Sequence, residues 1–197
     1  MKMLTMNADL FDLMEQLEKD GKHPVAAHCI AADFGMAGGI AKQFVDRMNM
    51  RDKLWDWAKA TGRRITPNPY GSYGDSVVGI QYWAIRVDNV YNLITKQWTY
   101  ERPTYDDLVA ALDNLKAAMV RDELNLLVIP KLGCGIDGLS WNVVRRLITA
   151  TFQSTDITVM VAIPLKFLPG DTSAMSYGEM WKEVFGDTYK GYQGEPL

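Results

Sequence analysis

Short apolar runs alternate with amphipathic segments along most of this 197-residue chain. Runs of consecutive apolar residues predict buried strands, because a strand that is covered on both faces lacks polar alternation. Such runs lie at 2–6, 24–30, 126–130 and 157–163, and two β-rich runs at 77–87 and 89–96 predict a hairpin. Apolar residues at helical spacing predict helices at 9–19 and 37–50, a continued or new helix at 51–60, and helices after Thr104 and Ser140. The alternation predicts an α/β fold in which helices cover both sides of a central mixed β-sheet.

Two segments break this regular pattern. Residues 61–76 contain three glycines and two prolines, which predict a long loop without regular structure. The tail is rich in glycine, tyrosine and proline, so we predict a main domain at 1–165 and a C-terminal extension at 166–197. Aromatic residues favour packing of this extension on the domain through one short helix, with binding to a partner as the alternative. These aromatic residues are Tyr177, Trp181, Phe185, Tyr189 and Tyr192.

The charge balance limits the class of partner. The chain has 21 basic and 24 acidic residues and a formal net charge of −3, so no overall positive field would attract duplex nucleic acid. A local basic rim formed by Arg51, Lys53, Arg63 and Arg64 keeps a nucleic-acid partner open as a hypothesis.

The histidine and cysteine content limits the chemistry. The histidines are His23 and His28, and the cysteines are Cys29 and Cys134. Two cysteines cannot build a disulfide framework, and the four residues lack paired metal-ligand spacing, so we expect no metal site. The N-terminus has no apolar run of signal-peptide length, and no run approaches the roughly 18 apolar residues of a membrane span. We therefore expect a cytoplasmic protein without a membrane partner.

Two glycine-rich loops are the strongest candidates for a ligand site. The loops 35–40 and 133–138 each lie between an apolar strand and a helix. Glycines let backbone N–H groups approach a ligand closely, and the following helix presents its positive end, so a ligand with two phosphates would suit the pair. The alternative is that both loops are only tight strand-to-helix turns.

The second loop also has the form of the dinucleotide fingerprint, with glycines at Gly133, Gly135 and Gly138. That motif normally opens its domain, whereas here it lies two-thirds of the way along the chain. The acid expected at the end of the next strand is missing there, since Asp156 precedes that strand. These features argue against a hydride-transferring dinucleotide enzyme.

Five polar residues are candidates for chemistry, and each also has a structural interpretation. Asp137 lies inside the second loop, where it is either a general base or ribose ligand, or a turn residue. Lys96 ends a strand, where it is either a nucleophile or phosphate partner, or a solvated lysine. Asp9 also suits a helix N-cap, His28 a core histidine, and Cys134 a packed thiol instead of a reactive one.

Five segments carry a family resemblance: NADLF at 7–11, VAAHCIAADFGMAGGIAKQF at 25–44, YNLITK at 91–96, RPTYDDL at 102–108 and IPKLGCGIDGLSW at 129–141. Together they resemble the macrodomain family, whose members bind ADP-ribose, and within it the terminal ADP-ribose protein glycohydrolases. The last three segments are specific to that branch in this order and spacing. The resemblance covers roughly residues 3–163.

The resemblance implies a three-layer α/β/α fold with ADP-ribose lying across the carboxyl ends of the central strands. It implies that Lys96 attacks the anomeric carbon of the distal ribose and that Asp137 helps to resolve the lysyl adduct. It implies no further cofactor, since ADP-ribose is itself the ligand or product. The positions it marks for ligand contact are Asp9, Leu10, His28, Ile30, Met36, Ala37, Gly38, Gly39, Ile40, Thr95, Leu132, Gly133, Cys134, Gly135 and Ile136.

Two departures and several alternatives accompany this resemblance. Ala8 stands where the family usually has a glycine before the acid, and Ala31 where a serine often follows the HCI segment. The expected function is removal of ADP-ribose from a modified macromolecule, either an acidic side chain of a protein or a DNA base. The alternatives are a phosphatase acting on ADP-ribose 1″-phosphate and a non-catalytic module that binds ADP-ribose. We expect the protein to be a monomer.

Overall fold

The computed structural model describes residues 1–68, 74–164 and 177–186, in which strands and helices alternate. The strands are β1 (Lys2–Met6), β2 (Val25–Ala31), β3 (Ile65–Thr66), β4 (Ser76–Val77), β5 (Ala84–Val87), β6 (Val90–Lys96), β7 (Leu126–Ile129) and β8 (Thr158–Ala162). The helices are α1 (Leu10–Lys19), α2 (Gly39–Met48), α3 (Met50–Ala60), α4 (Tyr105–Arg121), α5 (Trp141–Phe152) and α6 (Tyr177–Phe185).

Six strands form one sheet in the order β1-β8-β7-β2-β6-β5. Neighbouring strands are parallel except β5 and β6, which form the antiparallel hairpin that the sequence predicts. The predicted mixed sheet is therefore confirmed. Because β2, β6 and β7 are parallel neighbours, the loops that follow them emerge side by side at one edge of the sheet.

Side chains of the central strands alternate between two cores, one on each face of the sheet. On β6, Val90 and Ile94 face the core that contains α1, α2 and α3, whereas Tyr91 and Leu93 face the core that contains α4 and α5. All four side chains are buried. Burial on both faces of a strand requires a helical layer on each side, so the predicted α/β/α fold is confirmed.

Local sequence signals set several helix ends. The Thr104 hydroxyl accepts a hydrogen bond from Asp107 N–H, and the Asp107 carboxylate accepts one from Thr104 N–H, which is the capping box that begins α4. Asn49 has a left-handed conformation with φ of 53°, so the chain turns there and α3 begins as a new helix. Ser140 is the N-cap residue of α5, but its side chain makes no capping bond.

Part of the predicted long loop at 61–76 forms regular structure, and its residues 69–73 lie outside the described residues. Its two ends form the antiparallel pair β3–β4, and Val77 N–H donates to Ala32 O at 3.0 Å beside the end of β2. The prediction was wrong here because such short strands are stabilised by partners distant in the sequence. The hairpin strand predicted at 77–87 is also shorter, since β5 begins at Ala84.

Helix α6 packs beside β1. Met180 is fully buried and belongs to the core that contains α1, α2 and α3. Lys2 Nζ donates to Glu183 O at 2.5 Å and lies 3.1 Å from the Glu183 carboxylate. The other parts of the predicted extension at 166–197, including Tyr189 and Tyr192, lie outside the described residues. Within the described ranges, every helix is too short or too polar to cross a membrane.

Candidate active site

Three loops at the carboxyl edge of the sheet surround a cavity that is open to solvent. They follow β2, β6 and β7, so parallel strand order alone brings them together. A crevice at the carboxyl ends of parallel strands is the usual place where sheets of this kind bind a ligand. Among the residues marked from the sequence, those that line it are Ile30, Met36, Ala37, Gly38, Gly39, Ile40, Lys96, Leu132, Gly133, Gly135, Ile136 and Asp137.

The two residues predicted to carry the chemistry form an ion pair in this cavity. Lys96 Nζ donates to Asp137 Oδ1 at 2.5 Å, although 41 positions separate them in the chain. Only 10% of the lysine side chain and 13% of the aspartate side chain are exposed. A pair so shielded from water interacts more strongly than a surface pair, and the cavity still gives a ligand access to it.

A bulge places Lys96 at the end of β6. Ile94 pairs with Ile30 of β2, whereas Ala31, the next residue of β2, pairs with Lys96. Thr95 is therefore an extra residue without a partner in the parallel register. Bulges change the direction of the following side chain and often lie beside active sites.

The loop after β6 gives the lysine a second acceptor. Lys96 Nζ also donates to the backbone carbonyl of Glu101 at 3.0 Å. The Glu101 carboxylate accepts hydrogen bonds from Gln97 N–H and Trp98 N–H, both at 3.0 Å, which closes the loop on itself. Two acceptors on different loops thus fix the position of the ammonium group.

The two glycine loops meet across the cavity. Gly38 is the N-cap of α2 in extended backbone, and helix α2 therefore begins at the cavity wall. Ile136, in the second loop, is 69% exposed, and a Cβ added at Gly38 would lie 2.8 Å from its Cδ1. The first loop thus approaches the second so closely that glycine suits this position.

The second glycine loop presents Asp137 between two turns. Leu139 N–H donates to Gly133 O at 2.9 Å, and Gly138 N–H donates to Gly135 O at 3.1 Å. Gly133 and Gly138 have φ of 65° and 77°, a left-handed conformation that glycine adopts without strain. These turns account for the glycine spacing that formally matches the dinucleotide fingerprint.

Three residues marked for ligand contact lie in the core instead of the cavity. Leu10, His28 and Thr95 are buried and do not line the cavity. His28 Nε2 and Asn92 Oδ1 are 2.8 Å apart, and the Phe44 ring stacks on the imidazole. Burial lowers the pKa of His28 to about 4, so this histidine is neutral at pH 7.

Asp9 has the structural role that its position before a helix suggests. Its carboxylate accepts a hydrogen bond from Phe11 N–H at 3.0 Å and caps α1. Arg47 Nη1 lies 3.8 Å from the same carboxylate. Asp9 does not line the cavity, and contact between this residue and the ligand remains a prediction.

Neither cysteine is poised as a nucleophile. Burial raises the pKa of Cys134 to about 11, and its thiol donates to Leu132 O at 3.1 Å. Cys134 is absent from the cavity lining. Cys29 lines the cavity, but burial and, to a smaller degree, the negative charge of Asp137 raise its pKa well above the usual thiol range. Both sulfurs are therefore protonated at neutral pH.

Several cavity residues had no signal strong enough to be found in the sequence. Thr99, Pro130 and Lys131 line the cavity from the loops after β6 and β7. Asp33 was also missed, although Asp33 and Gly35 form an Asx turn, a local motif that the Asp-x-Gly spacing suggests. In the part of the chain that the structure describes, no group of three or more His, Cys, Asp or Glu side chains is placed to hold a metal ion.

Three of the four cations that could form a basic rim contact partners within the protein. Arg51 turns inward and donates to the backbone carbonyls of Phe34 and Gly35. Lys53 pairs with Asp88 at 2.6 Å, and the Arg63 guanidinium lies 4.4 Å from the centroid of the Trp83 ring. A nucleic-acid partner for these residues therefore remains a hypothesis.

The fold and the site define a three-layer α/β/α domain with a glycine-lined cleft and a lysine–aspartate pair. No family model matches the chain. The ADP-ribose glycohydrolase OARD1 of Homo sapiens is 30% identical to it over 135 residues, which cover 68% of this chain and 78% of that protein.

Solved structures agree with this relationship at the level of the fold. The macrodomain of Thermus aquaticus DarG superposes with a TM-score of 0.58 and 17% identity, covering 82% of this chain and 98% of that one. The macrodomain of Mycobacterium tuberculosis DarG superposes with a TM-score of 0.57 and 19% identity, covering 82% and 97%. The chain belongs to the macrodomain family.

Proposed function

We propose that this macrodomain is an ADP-ribose glycohydrolase that removes ADP-ribose from a modified macromolecule, with Lys96 as nucleophile and Asp137 as its proton partner. The observation that carries the proposal is the shielded Lys96–Asp137 pair, 2.5 Å apart and accessible from the cavity. The name of the human relative, an ADP-ribose glycohydrolase, supports the same reaction class.

The first half of the reaction transfers ADP-ribose to the enzyme. A lysine attacks only as a free amine, and Asp137 is within hydrogen-bond distance to accept the ammonium proton. The Lys96 lone pair then forms a bond to the anomeric carbon of the distal ribose. The carbon–oxygen bond to the modified carboxyl group breaks, and its electron pair leaves with the carboxylate.

The second half returns the enzyme to its starting state. After Asp137 has released its proton to solvent, it accepts a proton from a water molecule that attacks the same carbon. The carbon–nitrogen bond breaks with its electron pair returning to Nζ, and ADP-ribose leaves with the oxygen of water. The proton on Asp137 then passes to Nζ, which restores the ion pair. Glu101 O, 3.0 Å from Nζ, keeps the amine in place during both halves.

The glycine loops suit the diphosphate of this ligand. The cavity is lined by Gly38 and Gly39 at the start of α2 and by Gly133 and Gly135 in the second loop. The first N–H groups of a helix have no partner within it and favour a negative charge. We infer that α2 and the second loop bind the two phosphates and direct the distal ribose toward Lys96.

An acidic side chain of a protein is the target that the surface favours. DNA would be held mainly through its phosphates, which requires available cations around the cleft. Arg51, Lys53 and Arg63 are instead engaged by the loop carbonyls, Asp88 and Trp83. An ester of a carboxylate also provides a leaving group that needs no protonation.

One parallel assay tests the proposal. The protein is incubated with protein modified on carboxyl side chains, with ADP-ribosylated DNA, and with ADP-ribose 1″-phosphate. Free ADP-ribose and phosphate are measured. The variants are Lys96→Ala and Asp137→Ala, with Lys116→Ala as the matched control, since Lys116 forms a surface pair with Asp113.

We expect ADP-ribose release from the modified protein by the wild type and Lys116→Ala, and none above background by Lys96→Ala. Equal release by the wild type and Lys96→Ala would rule out the lysine mechanism. Faster phosphate release from ADP-ribose 1″-phosphate would favour the phosphatase alternative, and binding of ADP-ribose without turnover would favour the non-catalytic module.

A further inference from the structure

A buried carboxylate joins two of the cavity loops. Asp33 follows β2, is only 5% exposed, and uses both of its oxygens. Its Oδ1 accepts hydrogen bonds from Gly35 N–H at 3.0 Å and from the Thr99 hydroxyl at 2.6 Å, and its Oδ2 accepts one from Thr99 N–H at 2.7 Å. Two of these three bonds cross 66 positions of sequence, from the loop after β2 to the loop after β6.

The loop on the Asp33 side has a conformation that needs support. Phe34 and Met36 have φ of 49° and 41°, in the left-handed region that side chains with a Cβ rarely adopt. Such strain persists only where surrounding contacts impose it. Here Asp33 bonds to the loop from one side, and Arg51 donates to the carbonyls of Phe34 and Gly35 from another.

The loop on the Thr99 side is the one that holds the reactive lysine. Thr99 lies between Trp98, whose N–H donates to the Glu101 carboxylate, and Glu101, whose carbonyl accepts from Lys96 Nζ. Thr99 itself lines the cavity. A shift of Thr99 therefore moves the group that orients Lys96.

The packing between the two loops leaves no space for a side chain at Gly35. A Cβ added there would collide with the Thr99 hydroxyl and lie 3.0 Å from Thr99 Cβ. The φ of Gly35 is not in the left-handed region, so close approach of Thr99, and not backbone conformation, requires glycine at this position. Glycine at 35 and threonine at 99 are thus matched to each other.

We propose that Asp33 and Thr99 are positioning residues that set the distance between the loop carrying the phosphate-binding glycines and the loop orienting Lys96. This inference rests on the proposed function. Asp33 fixes the start of the loop that continues through Met36 to Gly38 in the cavity wall, and Thr99 fixes the loop that continues to Glu101. Substrate held by the first loop therefore meets the lysine in a constant geometry.

The experiment compares Thr99→Val, which keeps the shape and removes the hydroxyl, with Thr99→Ser, which keeps the hydroxyl and removes a methyl group. Asp33→Asn tests the other partner. Thr149→Val is the matched control, because the Thr149 hydroxyl donates to a backbone carbonyl on an exposed face of α5. For each protein we measure kcat and KM on carboxyl-modified protein, and amide hydrogen exchange at residues 35–38 and 97–101.

We expect kcat to fall about tenfold in Thr99→Val and Asp33→Asn while KM changes by less than about threefold, because misalignment of about 1 Å lowers the rate more than binding. We expect Thr99→Ser to restore most of the rate, and exchange to become faster in both loops of Thr99→Val but not in the strands. These readouts separate positioning from a general loss of stability, which would speed exchange throughout the domain.

Unchanged kcat in Thr99→Val, or failure of Thr99→Ser to restore the rate, would overturn the inference. So would exchange in the two loops that matches the wild type. If the wild type has no glycohydrolase activity, the proposed function fails, and the exchange measurement still decides whether Asp33 and Thr99 hold the two loops together.

Discussion

Two polar pairs that share strand β6 lie in opposite environments. His28 of β2 and Asn92 of β6 lie directly opposite each other in the register, fully buried, with a contact of 2.8 Å. Lys96 lies four residues further along β6 and pairs with Asp137 at 2.5 Å, with about a tenth of each side chain exposed. The same strand thus carries a neutral pair in the core and a charged pair in the cleft.

The difference shows that position along the strand decides what a polar residue can do. His28 lies in the middle of β2, where Phe44 covers it and burial lowers its pKa to about 4. Lys96 lies at the carboxyl end of β6, where the loops open into the cavity. The core pair contributes to stability, and the cleft pair is available for chemistry.

The largest expected effect concerns the acid of the cleft pair. Asp137→Asn keeps the size of the side chain but removes its ability to accept the lysine proton, so we expect hydrolysis to fall about a hundredfold or more. ADP-ribose release is measured beside binding of free ADP-ribose. Wild-type rates in Asp137→Asn would show that the carboxylate is not needed as a base.

The next prediction concerns the core pair of His28 and Asn92, which makes the stability of the fold depend on pH. Well above pH 6.5 His28 is neutral in both the folded and the unfolded chain. As the pH falls from 6.5 toward 4, the unfolded chain takes up a proton first, so the free energy of unfolding decreases. The full loss is about 3 kcal/mol for a shift of this size.

Denaturant unfolding at several pH values between 7 and 4 measures this loss. The control is His28→Gln, which has no titrating imidazole at this position. The difference in the free energy of unfolding between the two proteins gives the contribution of His28, because both proteins have the same acidic residues. If this difference stays constant between pH 7 and pH 4, the claim that His28 is buried and neutral is wrong.

Smaller effects are expected from alanine substitutions at two glycines of the second loop, and the two effects differ in kind. Gly133 has φ of 65°, and a Cβ there would lie 2.8 Å from Leu139 Cδ1, so we expect Gly133→Ala to cost about 1–2 kcal/mol of stability. A Cβ at Gly135 meets no atom within 4 Å and φ there is not left-handed. We expect Gly135→Ala to keep its stability and to bind ADP-ribose several-fold more weakly, because the methyl group would hinder approach of the phosphates.

Thermal unfolding and calorimetric titration with ADP-ribose measure these two quantities for both variants. If neither variant binds ADP-ribose more weakly than the wild type does, the result would argue against ligand binding by this loop. Equal loss of stability in both would contradict the assigned backbone conformations.

The smallest effect concerns Cys134. A pKa of about 11 in place of 9.0 leaves about a hundredfold less thiolate at pH 8, so we expect iodoacetamide to label this residue slowly in the folded protein. Mass spectrometry follows the labelling, with the denatured protein as the control. Labelling as fast as in the denatured protein would show that the thiol is not suppressed by burial.

The sequence supports much of this picture because its strongest signals are local. Apolar runs and the capping box at Thr104 predict the elements, and the parallel strands bring the two glycine loops to one edge. Lys96 and Asp137 were identified because each adjoins a predicted strand end or loop. The resemblance to macrodomains then gave them a role.

The remaining features depend on contacts between distant segments. The bulge at Thr95 exists only in the pairing of β6 with β2, and the bonds from Thr99 to Asp33 cross 66 positions. The sequence leaves Arg51 available to a nucleic acid, whereas in the structure its side chain donates to the Phe34 carbonyl. No local pattern distinguishes such residues from ordinary surface and loop residues.

The most direct test compares Lys96→Ala and His28→Gln in one experiment. For each protein, ADP-ribose release from carboxyl-modified protein and the midpoint of thermal unfolding are measured at pH 7. We predict that Lys96→Ala, assayed well below its own midpoint, releases no ADP-ribose above background, while His28→Gln unfolds at a lower midpoint than the wild type and, well below that midpoint, keeps the wild-type rate of release. Release by Lys96→Ala at the wild-type rate, or loss of release in folded His28→Gln, would contradict this prediction.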